Sequence, residues 1–267
     1  MINLPDSESD SKRKNPVMCT TCGCSVTNET ETNTIRVMEN LLARNDSLAA
    51  HNRQHFNEAG VLVINLMSAP GSGKTSLLEA TIRAVAGRWR IAVIEGDLET
   101  ENDAERIRRQ GVAAVQITTG MACHLDAAMV HGVLDALPLG QIDVLFIENV
   151  GNLVCPASFD LGQHVNVVLL SVAEGDDKPE KYPVMFRLAD QVLISKVDLL
   201  PYLGDFDPDR ARRSIGALSA STAVTLVSAK SGLGLRDWIT WIDQQIDARN
   251  RINLPITGEH SHHHHAV

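Results

Sequence analysis

The stretch SAPGSGKTS, Ser68 to Ser76, has the residue types and spacing to hold a chain of phosphates. Gly71 and Gly73 let backbone N–H groups curl around phosphate oxygens, and a helix opening there points its positive end at them. Lys74 is placed to reach the β- and γ-phosphates, the Thr75 hydroxyl to ligate Mg²⁺, and Ser72 and Ser76 to complete the cradle. The pattern G-x-x-x-x-G-K-[ST] is met except at its first position, where Ser68 stands for glycine. A glycine-rich turn with a chance Lys-Thr is the competing reading. A strand before the loop and a helix after it weigh against that. Two acidic loops belong to the same site. EGDLETENDAERI carries Asp97 at a strand end with Asp103 beyond it, and FIENVGN carries Glu148. Asp97 and Glu148 are assigned to Mg²⁺, directly or through water; otherwise Asp97 caps a helix and Glu148 merely ends a strand. No residue stands out as the one that positions an attacking water.

Which base the site takes is written further along. SKVD, Ser195 to Asp198, and SAK, Ser228 to Lys230, resemble the two guanine-recognition motifs of GTPases, NKxD and SAK. A carboxylate at Asp198 accepts hydrogen bonds from guanine N1–H and N2–H₂. Adenine would leave it unpaired. The Lys196 stem can lie over the base, and the Ala229 amide can meet O6. Ser195 is shorter than the usual asparagine, so a bond toward N7 or the phosphate loop is expected to be lost, at roughly 1 kcal/mol.

The thiols are the second kind of chemistry. Cys123 precedes His124 in GMACHLD, and Cys155 lies in GNLVCPASFD. Each is either a small core hydrophobe or a metal ligand; thiolate beside imidazole favours the latter. Two thiols and one imidazole are one ligand short of a closed site, which a symmetric pair of chains could complete. Cys19, Cys22 and Cys24 stand in a polar segment with no core for them to fill. Three thiolates there can wrap one metal: Zn²⁺ in a tetrahedral site, or Ni²⁺ in a planar N/S set. A redox CxxC is the remaining alternative.

Seven short apolar runs position these loops: 61–67, 91–96, 114–118, 143–149, 165–172, 191–195 and 223–228. Helical stretches at 75–87, 103–110, 124–137, 207–218 and 233–248 alternate with them, which implies an α/β fold with a mostly parallel sheet covered on both faces. In such sheets ligands bind at the carboxyl ends of the strands, where every loop quoted above falls. A helix is expected over 34–57. Residues 1–33 are read as a disordered arm bearing the CxxCxC motif. Residues 34–250 are read as the nucleotide-binding domain with its leading helix, and 251–267 as a His-rich tail.

Composition narrows the function classes. The chain has 267 residues, 44% hydrophobic, with 33 acids against 24 Lys plus Arg and a net charge of −9. That balance argues against a nucleic-acid or acidic-membrane binder. No apolar run is long enough to span a bilayer and no secretory signal opens the chain, so a cytoplasmic protein with reduced thiols is expected.

Taken together, CxxCxC, SAPGSGKTS, EGDLETENDAERI, GMACHLD, FIENVGNLVCPASFDLG and SKVDLLP resemble the hydrogenase nickel-incorporation GTPases of the HypB family, over about residues 18–250. The resemblance implies a P-loop GTPase of the SIMIBI class. It implies GTP hydrolysis that helps deliver Ni²⁺ to the large-subunit precursor of [NiFe] hydrogenase. It also implies a small nickel-binding accessory partner and a homodimer favoured by nucleotide. Family ligands carry over as Cys19, Cys22 and Cys24 for the arm and Cys123, His124 and Cys155 for the G domain, with Zn²⁺ possible at either. In relatives the CxxCxC motif often follows the initiator methionine, whereas seventeen residues precede Met18 here. Either Met18 is the start or the terminal amine is not a ligand. His260 and His262 to His265 are either a nickel buffer or an appended tag. Two rivals remain: a urease-type nickel GTPase, and a nickel storage or sensing protein without turnover.

Overall fold

The computed structural model describes residues 29–97 and 102–252. The arm motif Cys19, Cys22 and Cys24, the loop 98–101 and the histidine tail lie outside the described residues. Among the described residues seven strands form: β1 (Leu62–Ser68), β2 (Ile91–Asp97), β3 (Ala113–Thr118), β4 (Val144–Glu148), β5 (Val165–Ser171), β6 (Gln191–Ser195) and β7 (Ala223–Leu226). All seven apolar runs are strands, with ends shifted by one or two residues. They make one sheet in the order β3-β2-β4-β1-β5-β6-β7, with every pairing parallel.

Among the described residues eight α-helices accompany the sheet: α1 (Glu29–Ala59), α2 (Lys74–Ala84), α3 (Asn102–Arg108), α4 (Ala127–His131), α5 (Lys178–Lys181), α6 (Pro183–Arg187), α7 (Pro208–Leu218) and α8 (Leu235–Ile252). Contacts divide the chain after Asn40. On the amino-terminal side of that division, Val37, Glu39 and Asn40 of α1 are exposed. The unit from Leu41 onward holds the rest of α1, the whole sheet and its cover. The first helix begins at Glu29 rather than Thr34, because the polar residues ahead of the apolar stripe continue the same turn. The helix expected over 124–137 is shorter. Asp126 caps α4 by accepting the Met129 N–H at 2.8 Å, and after Gly132 the chain passes into 3₁₀ turns on either side of Pro138. The short helices α5 and α6 were not expected. Each opens on a proline in its first turn and buries little more than Pro179 or the pair Met185 and Phe186.

The period of two along each strand sorts the core. Leu62, Ile64 and Leu66 of β1, Val93 of β2 and Phe146 of β4 pack with Leu77 and Leu78 of α2 and with Trp238 and Ile242 of α8. The alternate residues Val63, Ile94, Leu145 and Ile147 pack with Phe56 of α1 and Val130 of α4 on the other face. A third cluster seats Val168, Leu170 and Ile194 against Phe186 of α6 and Ile215 of α7. Trp238 is wholly buried and donates its Nε1–H to Thr81 Oγ1 at 3.0 Å, locking α8 to α2. Among the described residues, no helix is long and apolar enough to cross a membrane.

Candidate functional site

The loop from β1 to α2 turns on Gly71 at φ +75° and Gly73 at φ +98°, a left-handed conformation that only glycine adopts without strain. The turn opens α2 directly at Lys74 and Thr75, both buried. Lys74 Nζ donates to Ser68 Oγ at 3.1 Å, so the serine that replaces glycine holds the lysine over its own loop. Thr75 Oγ1 donates to Glu148 Oε1 at 2.9 Å, and Lys74 Nζ lies 4.0 Å from the same oxygen.

Sequence reading passed over Glu95. It pairs in register with Glu148 across β2 and β4, and both side chains are buried. Two carboxylates this close in a dry site cannot both ionise. Burial, then the charge of Glu148, push the Glu95 carboxyl up to about 10, so it is neutral near pH 7. Burial also raises Glu148, opposed by Lys74 and the Thr75 hydroxyl. Glu95, the neutral member of the pair, shares a hydrogen bond with Glu148. The Thr75 hydroxyl and the Glu148 carboxylate are the hard oxygen donors that fit Mg²⁺. The available signal was a carboxylate inside an otherwise apolar run, IAVIEG. Asp97 ends β2 opposite Thr118, and Asp103 pairs with Arg106 at 2.9 Å.

The two stretches read for base recognition, SKVD and SAK, assemble around the same loop. Ser195 Oγ donates to the Ser72 carbonyl at 2.7 Å. The expected loss of a bond to the phosphate loop is therefore corrected: the shorter side chain still reaches it. Lys196, the one non-glycine with positive φ among the described residues, donates from Nζ to the Gly71 carbonyl at 2.5 Å. Asp198 Oδ1 accepts from Ser228 Oγ at 2.7 Å, so the two separate motifs meet. Ser72, Gly73, Ser76, Lys196, Asp198, Ala229 and Lys230 line a cavity of about 270 Å³. Glu174, also missed in sequence, places Oε1 2.5 Å from Ser72 Oγ, and burial raises its pKa.

The third group lies one loop away. Cys123 Sγ is 3.0 Å from Cys155 Sγ and 3.8 Å from His124 Nδ1, and one ligand atom from each of the three lies within 4.8 Å of the others. The hydrogen bond shared with Cys123, then burial, raise the Cys155 thiol. His124 stacks on Phe159 with centroids 3.9 Å apart, and burial lowers its pKa. Asn149, next to Glu148, is the link that sequence reading did not find. Its Oδ1 accepts from Leu125 N–H at 3.1 Å and its Nδ2 donates to Asn65 Oδ1 at 3.3 Å. Gly151 brings the same loop against the phosphate loop so closely that a Cβ there would stand 2.8 Å from Pro70 Cα.

A phosphate-loop fold with paired thiols beside it has known counterparts. The model of the CobW/HypB/UreG nucleotide-binding domain matches residues 62–225. The hydrogenase maturation factor HypB of Azotobacter vinelandii is 50% identical over 220 residues, covering 82% of this chain and 72% of that protein. Its namesake from Escherichia coli K12 is 48% identical over 211 residues, 79% and 72% of the two chains. The crystal structure of HypB from Helicobacter pylori in complex with nickel superposes with a TM-score of 0.74 at 44% identity, covering 77% of this chain and 96% of that one. That of HypB from Archaeoglobus fulgidus gives 0.72 at 40%, covering 76% and 99%. On sheet, loop and sequence alike, the chain belongs to the HypB family of hydrogenase maturation factors.

Proposed function

We propose that this chain is a GTP-hydrolysing nickel metallochaperone that helps load Ni²⁺ into the large-subunit precursor of [NiFe] hydrogenase. The observation that carries the reading is the meeting of two chemistries on one loop. Glu148, bonded to Thr75 of the phosphate loop, is seven residues ahead of Cys155, which touches Cys123. In this reading Gly71, Ser72, Gly73, Lys74, Thr75 and Ser76 hold the phosphates. Ser195, Lys196, Asp198, Ser228, Ala229 and Lys230 select guanine. Thr75, Glu148 and Asp97 hold Mg²⁺, directly or through water, and the ion neutralises charge on the transferred phosphate. Glu95, neutral beside Glu148, keeps that carboxylate from facing a second negative charge.

Nickel is the cargo. Cys19, Cys22 and Cys24 form the capture arm, and Cys123, His124 and Cys155 form a G-domain site that two chains complete by pairing around nucleotide; Zn²⁺ can compete at either. The partners are a small nickel-binding accessory protein and the hydrogenase precursor, met in the cytoplasm, with no nucleic acid or membrane involved. Relatives at 50% and 48% identity carry hydrogenase maturation alone in their names, which favours this over the urease-type reading.

The test is direct. Purified protein should turn over GTP and bind nickel. Replacing Cys19, Cys22 and Cys24 by alanine should remove the high-affinity metal while sparing turnover. Metal binding with no GTP turnover would support the storage or sensing reading instead.

A further inference from the structure

Three histidines stand together where α1 meets α4, and neither the nucleotide site nor the thiols use them. His51 and His55 are one turn apart on α1, so their rings leave the same side of the helix; His131 closes α4. A ring nitrogen from each lies within 4.8 Å of those of the other two. The Nε2 atoms of His51 and His55 are 3.1 Å apart, and the ring of His131 lies 5.3 Å from that of His51 and 5.9 Å from that of His55.

The protonation of the third ring follows from its neighbour. Asn52 is fully buried, and its Nδ2 donates to the carbonyls of Ala127 at 2.9 Å and Leu161 at 3.1 Å. Carbonyls only accept, so the amide is fixed with Oδ1 toward His131. That oxygen lies 2.9 Å from His131 Nδ1 and also only accepts, which puts the proton on Nδ1 and the lone pair of the neutral ring on Nε2. An oxygen behind an imidazole, setting tautomer and orientation, is the support that metal-ligating histidines use.

We propose that His51, His55 and His131 form a transition-metal site distinct from both thiol sites. Three imidazoles suit a borderline divalent ion such as Zn²⁺, with water completing the shell. The exposure of His51 gives the ion access. A bound ion clips α1 to α4, the helix that begins three residues after His124. The proposal goes beyond the nickel-delivery reading and does not depend on it.

The test uses the full-length chain with all five cysteines changed to serine, titrated to saturation with Zn²⁺ and then treated with diethylpyrocarbonate. Locating modified histidines by mass spectrometry reads each imidazole separately, including those of the tail. His51, His55 and His131 should be protected together, with modification slowed about tenfold or more. His55→Ala, and separately His51→Ala, should remove protection from the two that remain while leaving circular dichroism unchanged. The same joint protection is expected in the wild-type chain once its thiols are saturated. Equal modification of the three with and without Zn²⁺ would overturn the site. So would protection of any one that survives His51→Ala and His55→Ala.

Discussion

Asn149 Oδ1 accepts the backbone N–H of Leu125 at 3.1 Å, so the residue that follows Glu148 also fastens the residue that follows His124. One carboxamide thus joins the carboxylate beside the phosphate loop to the loop between β3 and α4 that carries Cys123 and His124. Both Asn149 and Leu125 are buried. Asn149→Ala leaves the Leu125 N–H without an acceptor, and we expect a loss of about 1–3 kcal/mol in urea unfolding. GTP affinity should change little, and the response of hydrolysis to metal should weaken. Unchanged stability would show that the bond contributes nothing.

Gly151 tests the contact between the same loop and the phosphate loop. An added Cβ meets Pro70 Cα at 2.8 Å and the Pro70 ring at 3.2 Å, both part of a tight turn. Gly151→Ala is expected to weaken GTP binding about tenfold, near 1.4 kcal/mol. Gly140→Ala is the control, since nothing lies within 4 Å of a Cβ there. Calorimetry giving both variants wild-type affinity would contradict the contact's importance.

In the proposed reading base choice rests on Asp198, whose Oδ1 accepts from Ser228 at 2.7 Å. Asp198→Asn exchanges an acceptor for a donor at the edge proposed to read guanine N1–H and N2–H₂. GTP affinity should fall roughly a hundredfold and affinity for xanthosine triphosphate should rise. Wild-type protein that binds ATP as tightly as GTP would remove the guanine reading.

Acid should expose His164. Val63 N–H donates to its Nδ1 at 2.9 Å, and burial, with Arg249 and Arg53 nearby, pushes its pKa down to about 3 from 6.5. Between those values the unfolded chain binds the proton that the folded chain refuses. Stability is therefore full above pH 6.5 and falls as pH drops toward 3, by at most about 1.4 kcal/mol per unit from this residue. Melting temperature followed from pH 7 to 5 should show the slope in the wild type and a shallower one in His164→Gln. Identical slopes would exclude His164 as the source.

The phosphate loop and the seven strands were legible because each is a local pattern: glycine spacing, a lysine-threonine pair, or an apolar run between breakers. Cys123 and Cys155 were legible as types, and the fold brings their sulfurs together from 32 residues apart. Glu95 was hidden because its meaning depends on register. Only the pairing of β2 with β4 sets it opposite Glu148. Asn149 and the three histidines were hidden for the same reason, since their partners come from elements distant in sequence. Ser195 misled because the distance it must span, to the Ser72 carbonyl, is not written in the motif.

The central claim is that metal at Cys123, His124 and Cys155 and nucleotide at the phosphate loop bias one segment, residues 148–155. Such coupling is reciprocal, typically about 1–3 kcal/mol or roughly 5–150-fold in affinity. The direct measurement is Ni²⁺ affinity in the GTP-bound and GDP-bound states, made on protein whose Cys19, Cys22 and Cys24, His51 and His55, and tail residues His260 and His262 to His265 are alanine, so that the G-domain thiols report. The account predicts affinities that differ by about fivefold or more between the two states, and a difference that vanishes in Cys155→Ala while GTP binding is retained. Equal affinities in both states, or a difference that survives Cys155→Ala, would contradict it.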